Sequence, residues 1–245
     1  VRERARAWLH GAQATVCDII EPWEHGAVLR ATRYPTYYDF NLVRVEDDPP
    51  LRAQDIAAFA DAQLAGLEHR RVDVEDAGAA ERLRPGFRAL GWRTVRLVFM
   101  RHEQPPPPGP DVDVEEVPYD AVHDLRVAWH EEDFPGVDAG DHYAEAREVS
   151  LRRNARVLAV VENGVPVAFA QVERDGDAAE IGQVFVHPRY RGGGRGTAMT
   201  RAAILAAGDA ADLWIAADDE DRPKELYHRL GFRPVWTWME FTRLP

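Results

Sequence analysis

Beyond residue 110 the order of apolar and polar positions predicts a strand over 112–117, a helix over 119–130, an irregular acidic loop over 131–141 and a helix over 142–154. Three strand-like runs follow at 157–162, 165–173 and 179–186. Asn163 and Gly164 separate the first pair, Asp175 and Gly176 the second, and both dipeptides favour the tight turns of hairpins. A glycine-rich loop comes next, then a helix over 197–207, a strand over 213–217, a helix ending near Leu230 and a strand over 235–241. Antiparallel strands that give way to alternating helix and strand predict an α/β chain, a mixed sheet with helices on its faces.

Consecutive prolines cannot continue a helix or a central strand, so Pro105, Pro106, Pro107, Pro108, Gly109 and Pro110 mark a stiff, extended connector. The chain divides there into a unit over 1–104, a linker over 105–110 and a unit over 111–245. The first unit echoes the second. Phe87 to Val95 lies over Tyr227 to Val235 at a constant offset of 140, with Leu90, Gly91, Trp92 and Arg93 over Leu230, Gly231, Phe232 and Arg233. Asn41 to Val45 lies over Gly182 to Val186 at an offset of 141. The near-constant offset predicts a tandem repeat.

Composition narrows the class. With 245 residues, 45% hydrophobic and 29% charged, the chain can bury a sizeable core, which excludes wholesale disorder and collagen-like repeats. No run approaches the roughly 20 apolar residues of a membrane helix. Val1, Arg2, Glu3 and Arg4 have no apolar signal-peptide core behind them, so a cytoplasmic protein is expected. The single Cys17 cannot form an internal disulfide and reads as a small core residue, with a reactive nucleophile the second choice. A net charge of -12 argues against a sequence-independent hold on nucleic acid or anionic lipid, so neither is an expected partner. The average hides one patch: residues 181–208 carry Arg189, Arg191, Arg195 and Arg201 and no acid.

That patch contains the sharpest chemical signal. Val184, Phe185 and Val186 end a strand; His187, Pro188, Arg189, Tyr190 and Arg191 lead into Gly192, Gly193, Gly194, Arg195, Gly196 and Thr197, where a helix begins. Glycines let the backbone approach a ligand, and the N–H groups at a helix start favour an anion, so the segment predicts a phosphate cradle; a plain flexible turn is the bland alternative. A Walker loop is excluded, because Thr197 follows Gly196 without a lysine and Lys224 is the only lysine in the chain. The dinucleotide fingerprint fails as well, since it would require glycine at Thr197 or Met199.

Arg191, Gly194 and Gly196 instead match the pyrophosphate loop of the GNAT acetyltransferase superfamily: Arg or Gln, two variable residues, Gly, one variable residue, then Gly or Ala. Val186, His187 and Pro188 resemble its usual Val-x-Pro, and Leu226 to Phe232 resembles its late Leu-Tyr-x-x-Leu-Gly-Phe segment. The resemblance covers about 111–245 and implies the GNAT acyl-CoA N-acyltransferase fold, here as two tandem units. It implies acetyl-CoA as co-substrate, with no metal, in a V-shaped opening between splayed strands. Gln183, Val184, Phe185 and Val186 would meet the pantetheine arm through backbone groups. The amides of Gly192, Gly193, Gly194, Arg195, Gly196 and Thr197 would hold the pyrophosphate, and Arg191 and Arg195 would add charge. An acceptor amine would attack the thioester directly, Tyr227 matching the general acid that protonates the leaving thiolate; the bland reading is a packed core aromatic. Glu180 is the first choice for general base and Glu173 the reserve, each equally readable as a solvated strand carboxylate. One departure stands out: the family's asparagine seven positions before the tyrosine is here Glu220.

The first unit departs further. Asp48 to Asp55 replaces the glycine loop without a glycine, and Phe87 replaces Tyr227. We therefore expect a degenerate, shortened, non-catalytic GNAT-like copy, resembling in outline the two-domain layout of mycothiol synthases, that completes the sheet or shapes the acceptor side. Its start at Val1 falls level with the second helix of the later copy. The acidic segment from His130 to Asp138 lies where the family places its acceptor loop and would attract a cationic amine, unless it is merely a solvated loop. Trp129, Trp236 and Trp238 are pocket or core candidates. The expected activity is N-acetylation of a small, cationic primary amine by a monomer or homodimer. The alternatives are a non-catalytic acyl-CoA sensor and an inert structural repeat.

Overall fold

The structure is a computed structural model that describes residues 1–244. Its first half runs α1 (Arg2–Val16), β1 (Ile19–Trp23), β2 (Gly26–Arg30), β3 (Leu42–Val45), α2 (Ala53–Gln63), β4 (Arg70–Val74), α3 (Ala77–Ala89) and β5 (Arg93–His102). After the proline linker come β6 (Glu115–Val117), α4 (His123–Asp133), α5 (His142–Arg152), β7 (Arg156–Glu162), β8 (Val165–Asp175), β9 (Ala178–Val186), α6 (Arg195–Ala207), β10 (Asp212–Asp218), α7 (Pro223–Arg229) and β11 (Phe232–Arg243). Among the described residues no helix is long and apolar enough to cross a membrane.

The predicted elements are present with shifted ends. The strand expected over 112–117 shortens to Glu115–Val117, because Val112 and Val114 pack into the core below α6 instead of pairing with β7. The helix expected over 119–130 opens as a 3₁₀ turn, Tyr119–Val122, and α4 then runs three residues into the expected loop, to Asp133. α6 starts at Arg195, two residues earlier than predicted, since Gly194 takes the left-handed φ of +79° that turns the chain into the helix.

From α5 on, the second half repeats the order of the first, helix, three strands, helix, strand, helix, strand, with β6 and α4 added before it. In each repeat, the first three strands pair antiparallel, and the third pairs parallel with the strand after the next helix: β3 with β4, β9 with β10. The final strands are exchanged. All eleven strands form a single sheet in the order β1-β2-β3-β4-β11-β5-β10-β9-β8-β7-β6, so β11 lies against β4 of the first half and β5 against β10 of the second. The two exchanged strands pair with each other along their whole length, from Phe232 opposite His102 to Thr242 opposite Arg93. The break in sequence at the linker is therefore not a break in the sheet.

Alternation along the strands sends apolar side chains to two faces. On one, α6 and α7 cover Val98, Met100, Ile181, Leu213 and Ile215, and α2 and α3 cover Val43, Val72, Val74, Met239 and Phe241. On the other, α4 covers Phe169 and Phe185, and α1 covers Phe99, Trp214, Trp236 and Trp238. Trp129 stacks on Phe185 with centroids 5.8 Å apart, and Trp236 on Trp238 at 5.0 Å. These tryptophans are core. The α1 face also holds a charge cluster in which Arg71 bonds Asp73 at 2.8 Å, Asp39 at 2.5 Å and Glu240.

Candidate active site

The sheet opens at one place. β9 and β10 pair from Ala178 opposite Asp212 to Ile181 opposite Ile215; beyond that pair β9 continues to Val186 and β10 to Asp218 without touching in register. A bulge starts the divergence. The register between β8 and β9 shifts by one residue between Phe169 opposite Phe185 and Gln171 opposite Gly182. Within the bulge Gln183 has a φ of +56°, a conformation that costs an L residue about 1–2 kcal/mol. Gln183, Val184, Phe185 and Val186, the residues expected to meet pantetheine, thus present a free backbone edge to the opening. Val184 and Val186 face α6, while Phe185 is buried beneath α4.

The opening leads to the glycine loop. The first bond of α6 runs from the Ala198 N–H to the Gly194 carbonyl at 3.0 Å, and the N–H groups of Gly192, Gly193, Gly194, Arg195, Gly196 and Thr197 have no backbone partner. Six consecutive free donors at the positive end of a 13-residue helix are chemically suited to an anion, which makes this loop the candidate cradle. Pro110 of the linker walls it on one side: a Cβ on Gly194 would stand 3.0 Å from the Pro110 ring. The flanking arginines are less free than expected. Arg195 bonds Glu162 at 2.5 Å and the Tyr190 carbonyl at 3.0 Å; Arg191 bonds Glu132 at 2.7 Å and the Val186 carbonyl at 3.0 Å. Each guanidinium keeps one terminal nitrogen without a partner but shares its charge with a carboxylate, whereas the amides are wholly uncommitted.

Tyr227 lies on α7, 5% exposed, edge-on to Phe232 at 6.2 Å. Burial alone pushes its pKa well above the usual tyrosine value, since no hydrogen bond or neighbouring charge perturbs the hydroxyl. It keeps its proton at neutral pH. Leu226 beside it approaches the position a Gly196 Cβ would take to 3.5 Å, so the start of α6 and the tyrosine helix are in contact. Glu220, at the place of the family's asparagine, is held by Arg84 of the first half at 2.6 Å.

On the opposite face, at the root of the opening, Glu173 and Glu180 are cross-strand neighbours. Glu173 is buried, which raises its pKa, and both its oxygens are taken, by Gln171 at 2.8 Å and Arg153 at 2.5 Å. Glu180 accepts the indole N–H of Trp8 on Oε2 at 2.7 Å, and its other oxygen has no partner among the described residues. Beside them a groove of 240 Å³ runs between α1, lined by Trp8, Gly11 and Thr15, and the segment Arg152, Arg153 and Asn154 with Glu173. The acidic segment is partly spent: Glu132 pairs with Arg191, and Glu131 accepts from the Gly136 N–H at 3.3 Å.

The counterpart in the first half is closed. β3 and β4 stay in register to Val45 opposite Val74, with no divergence. The N–H of Arg52 before α2 donates to Asp55 at 3.0 Å, so the chain's own carboxylate sits at that helix start. Phe87 is fully buried, stacked on Phe241 at 4.1 Å.

With this geometry in view, the acetyltransferase (GNAT) domain family matches residues 153–234. This segment is a GNAT domain. It takes in Glu173, Glu180, the glycine loop and Tyr227, and its family ties it to acyl transfer in general. The whole chain has the GNAT fold in a two-unit arrangement. It is similar, at 16% identity and a TM-score of 0.71 over 93% of this chain and 94% of the other, to a conserved protein of unknown function from Staphylococcus epidermidis. It is also similar to a GCN5-related N-acetyltransferase from Sphaerobacter thermophilus, at 17% identity and a TM-score of 0.52 over 89% and 77% of the two chains. A tandem GNAT protein from the clavulanic acid biosynthesis pathway aligns at 15% identity and a TM-score of 0.51 over 83% and 75%. No curated protein matches the sequence.

Three residues at the GNAT site lie outside the matched segment and outside the sequence expectations: Trp8, Pro110 as a wall of the cradle, and Arg126. Only Arg126 left a signal. It stands in the apolar stripe of Val122, which caps α4, and Leu125 and Trp129 on that helix, where a cation is out of place.

Proposed function

We propose that the protein is an N-acetyltransferase that moves the acetyl group of acetyl-CoA to a primary amine of a small acceptor. The observation that carries this reading is the row of six unpartnered amides that follows the parted end of β9, with a protonated, unpartnered tyrosine on the adjoining helix. The amides suit a pyrophosphate, and the free edge of Gln183 to Val186 suits an extended pantetheine arm.

Glu180, with one oxygen free, takes a proton from the acceptor amine directly or through water. The amine nitrogen bonds to the thioester carbonyl carbon, the carbon–sulfur bond breaks, and Tyr227 gives its proton to the departing thiolate. The acceptor approaches through the groove beside Trp8. At 240 Å³ it is smaller than the ~300–1,000 Å³ of common ligand pockets, which favours a compact amine over a peptide. The first half, with its paired strands and self-capped helix, holds no acyl-CoA.

A CoA-release assay over amines, polyamines, aminoglycosides, amino acids and peptide N-termini tests the proposal. Release with a small amine supports it. Tight acetyl-CoA binding without release under any amine would make the protein a sensor, and no binding at all would leave a structural repeat.

A further inference from the structure

Arg126 is 7% exposed, and no carboxylate lies within ion-pair distance of it among the described residues. Burying a cation without a counter-charge is costly unless its N–H groups are satisfied. Here one terminal nitrogen donates to the side-chain oxygen of Gln183 and the other to that of Gln171 at 3.1 Å, while the buried Nε has no partner, so the two glutamines carry the whole hydrogen-bonding of the cation. The guanidinium carbon lies over two aromatic rings, 4.0 Å from the Tyr119 centroid and 4.7 Å from the Phe169 centroid. The two glutamines flank the bulge, Gln171 opposite Gly182 on β8 and Gln183 within β9. Gln183 is the bulge residue with the left-handed φ, a position that glycine fills without strain. The fork of the guanidinium therefore spans the bulge from β8 to β9, and it grips the one side chain whose backbone is strained there.

We infer that Arg126 is a positioning residue of the acyl-CoA site: by holding Gln171 and Gln183 together it keeps the β9 bulge formed, and with it the backbone edge that Gln183 to Val186 offers the ligand. The inference rests on the acetyl-CoA reading above. It predicts that a residue needing no clamp at position 183 makes Arg126 dispensable.

Calorimetric titration of acetyl-CoA into the full-length wild type, Arg126→Met, Gln183→Gly and the double variant tests it. Arg126→Met should bind about tenfold more weakly or worse, the loss of one charge-assisted contact. Gln183→Gly removes both the clamped side chain and the strain at the bulge, so adding Arg126→Met to it should weaken binding by less than about threefold further, because glycine holds the bulge without a clamp. Unchanged affinity in Arg126→Met, or a further loss of about tenfold on adding Arg126→Met to Gln183→Gly, would overturn the clamp and reduce Arg126 to packing of α4. Should Arg126→Met fail to fold, Arg126→Lys, which can reach only one of the two amide oxygens, replaces it with the same rescue by Gln183→Gly. Hydrogen exchange over 182–186 needs no ligand: it should quicken in Arg126→Met or Arg126→Lys, and unchanged exchange would also overturn the clamp. If wild type binds no acetyl-CoA, the proposed function fails, while this exchange still decides on Arg126.

Discussion

Trp8 on the first helix donates its indole N–H to Glu180 at 2.7 Å, across 172 residues of sequence. The half of the chain that has no cradle of its own thereby touches the carboxylate proposed as base in the other half. Trp8→Phe keeps the ring and removes the donor. A hydrogen bond to a charged group contributes ~1.5–3 kcal/mol, so kcat should fall about tenfold or more. Acetyl-CoA affinity should stay unchanged. Steady-state kinetics with calorimetry of the cofactor checks the split; an unchanged kcat would detach the first half from the chemistry.

Gly194 combines a φ of +79° with Pro110 ring atoms 3.0 Å from where a Cβ would stand. Gly194→Asp adds strain, bulk and a negative charge at the cradle. Acetyl-CoA binding should weaken more than about a hundredfold, the scale of several lost anion contacts. Calorimetry reads this, and wild-type affinity in the variant would remove the loop from the site.

Tyr227→Phe should lower turnover about a hundredfold, the usual scale of general acid catalysis. Acetyl-CoA affinity should barely change. Because burial raises the tyrosine pKa above its usual 10.0, the acid form persists through neutral and mildly alkaline pH, and the wild-type rate should show no tyrosine-dependent fall below that value. A pH–rate profile checks this; full activity in the variant would make Tyr227 a packing residue.

Glu240 lies in the cluster around Arg71, and burial pushes its carboxyl up to about 8, with Asp73 adding to the rise and Arg71 opposing it. A carboxyl whose folded pKa lies above its unfolded value of 4.5 favours the folded state fully below 4.5, and that contribution is lost as pH rises through about 8. Glu240→Gln should therefore flatten the decline in thermal stability between those limits. Melting curves at about pH 5, near the low end of that window, and at about pH 8.5, just above it, supply the comparison. Parallel shifts at both would contradict the assignment.

Much of the candidate site was legible because it is local. Gly192 to Gly196 sit consecutively between a strand and a helix, and the loop's spacing to Tyr227 marks the second motif, so pattern alone placed the cradle and the tyrosine helix. Glu180 was reachable from its strand position. Arg126 was visible only as a cation out of place on an apolar stripe, which says that it is buried but not what it holds. Trp8 was invisible, since the face a helix presents to a distant strand depends on how the halves assemble. The acidic wall was overstated for a related reason: Glu132 and Arg191 are far apart in the chain and neutralise each other in space.

By itself the sequence determined what short-range physics controls: the alternation that makes each strand, the glycines that turn Gly194 into α6, and the repeat whose second copy kept its loop while the first lost it. The tertiary structure decided how the copies share a sheet. β5 and β11 exchange places because their pairing is a long antiparallel ladder, satisfied by backbone groups that carry no sequence label. That exchange sets α1 over β10 and β11 and brings Trp8 to Glu180, so both halves contribute to the candidate site.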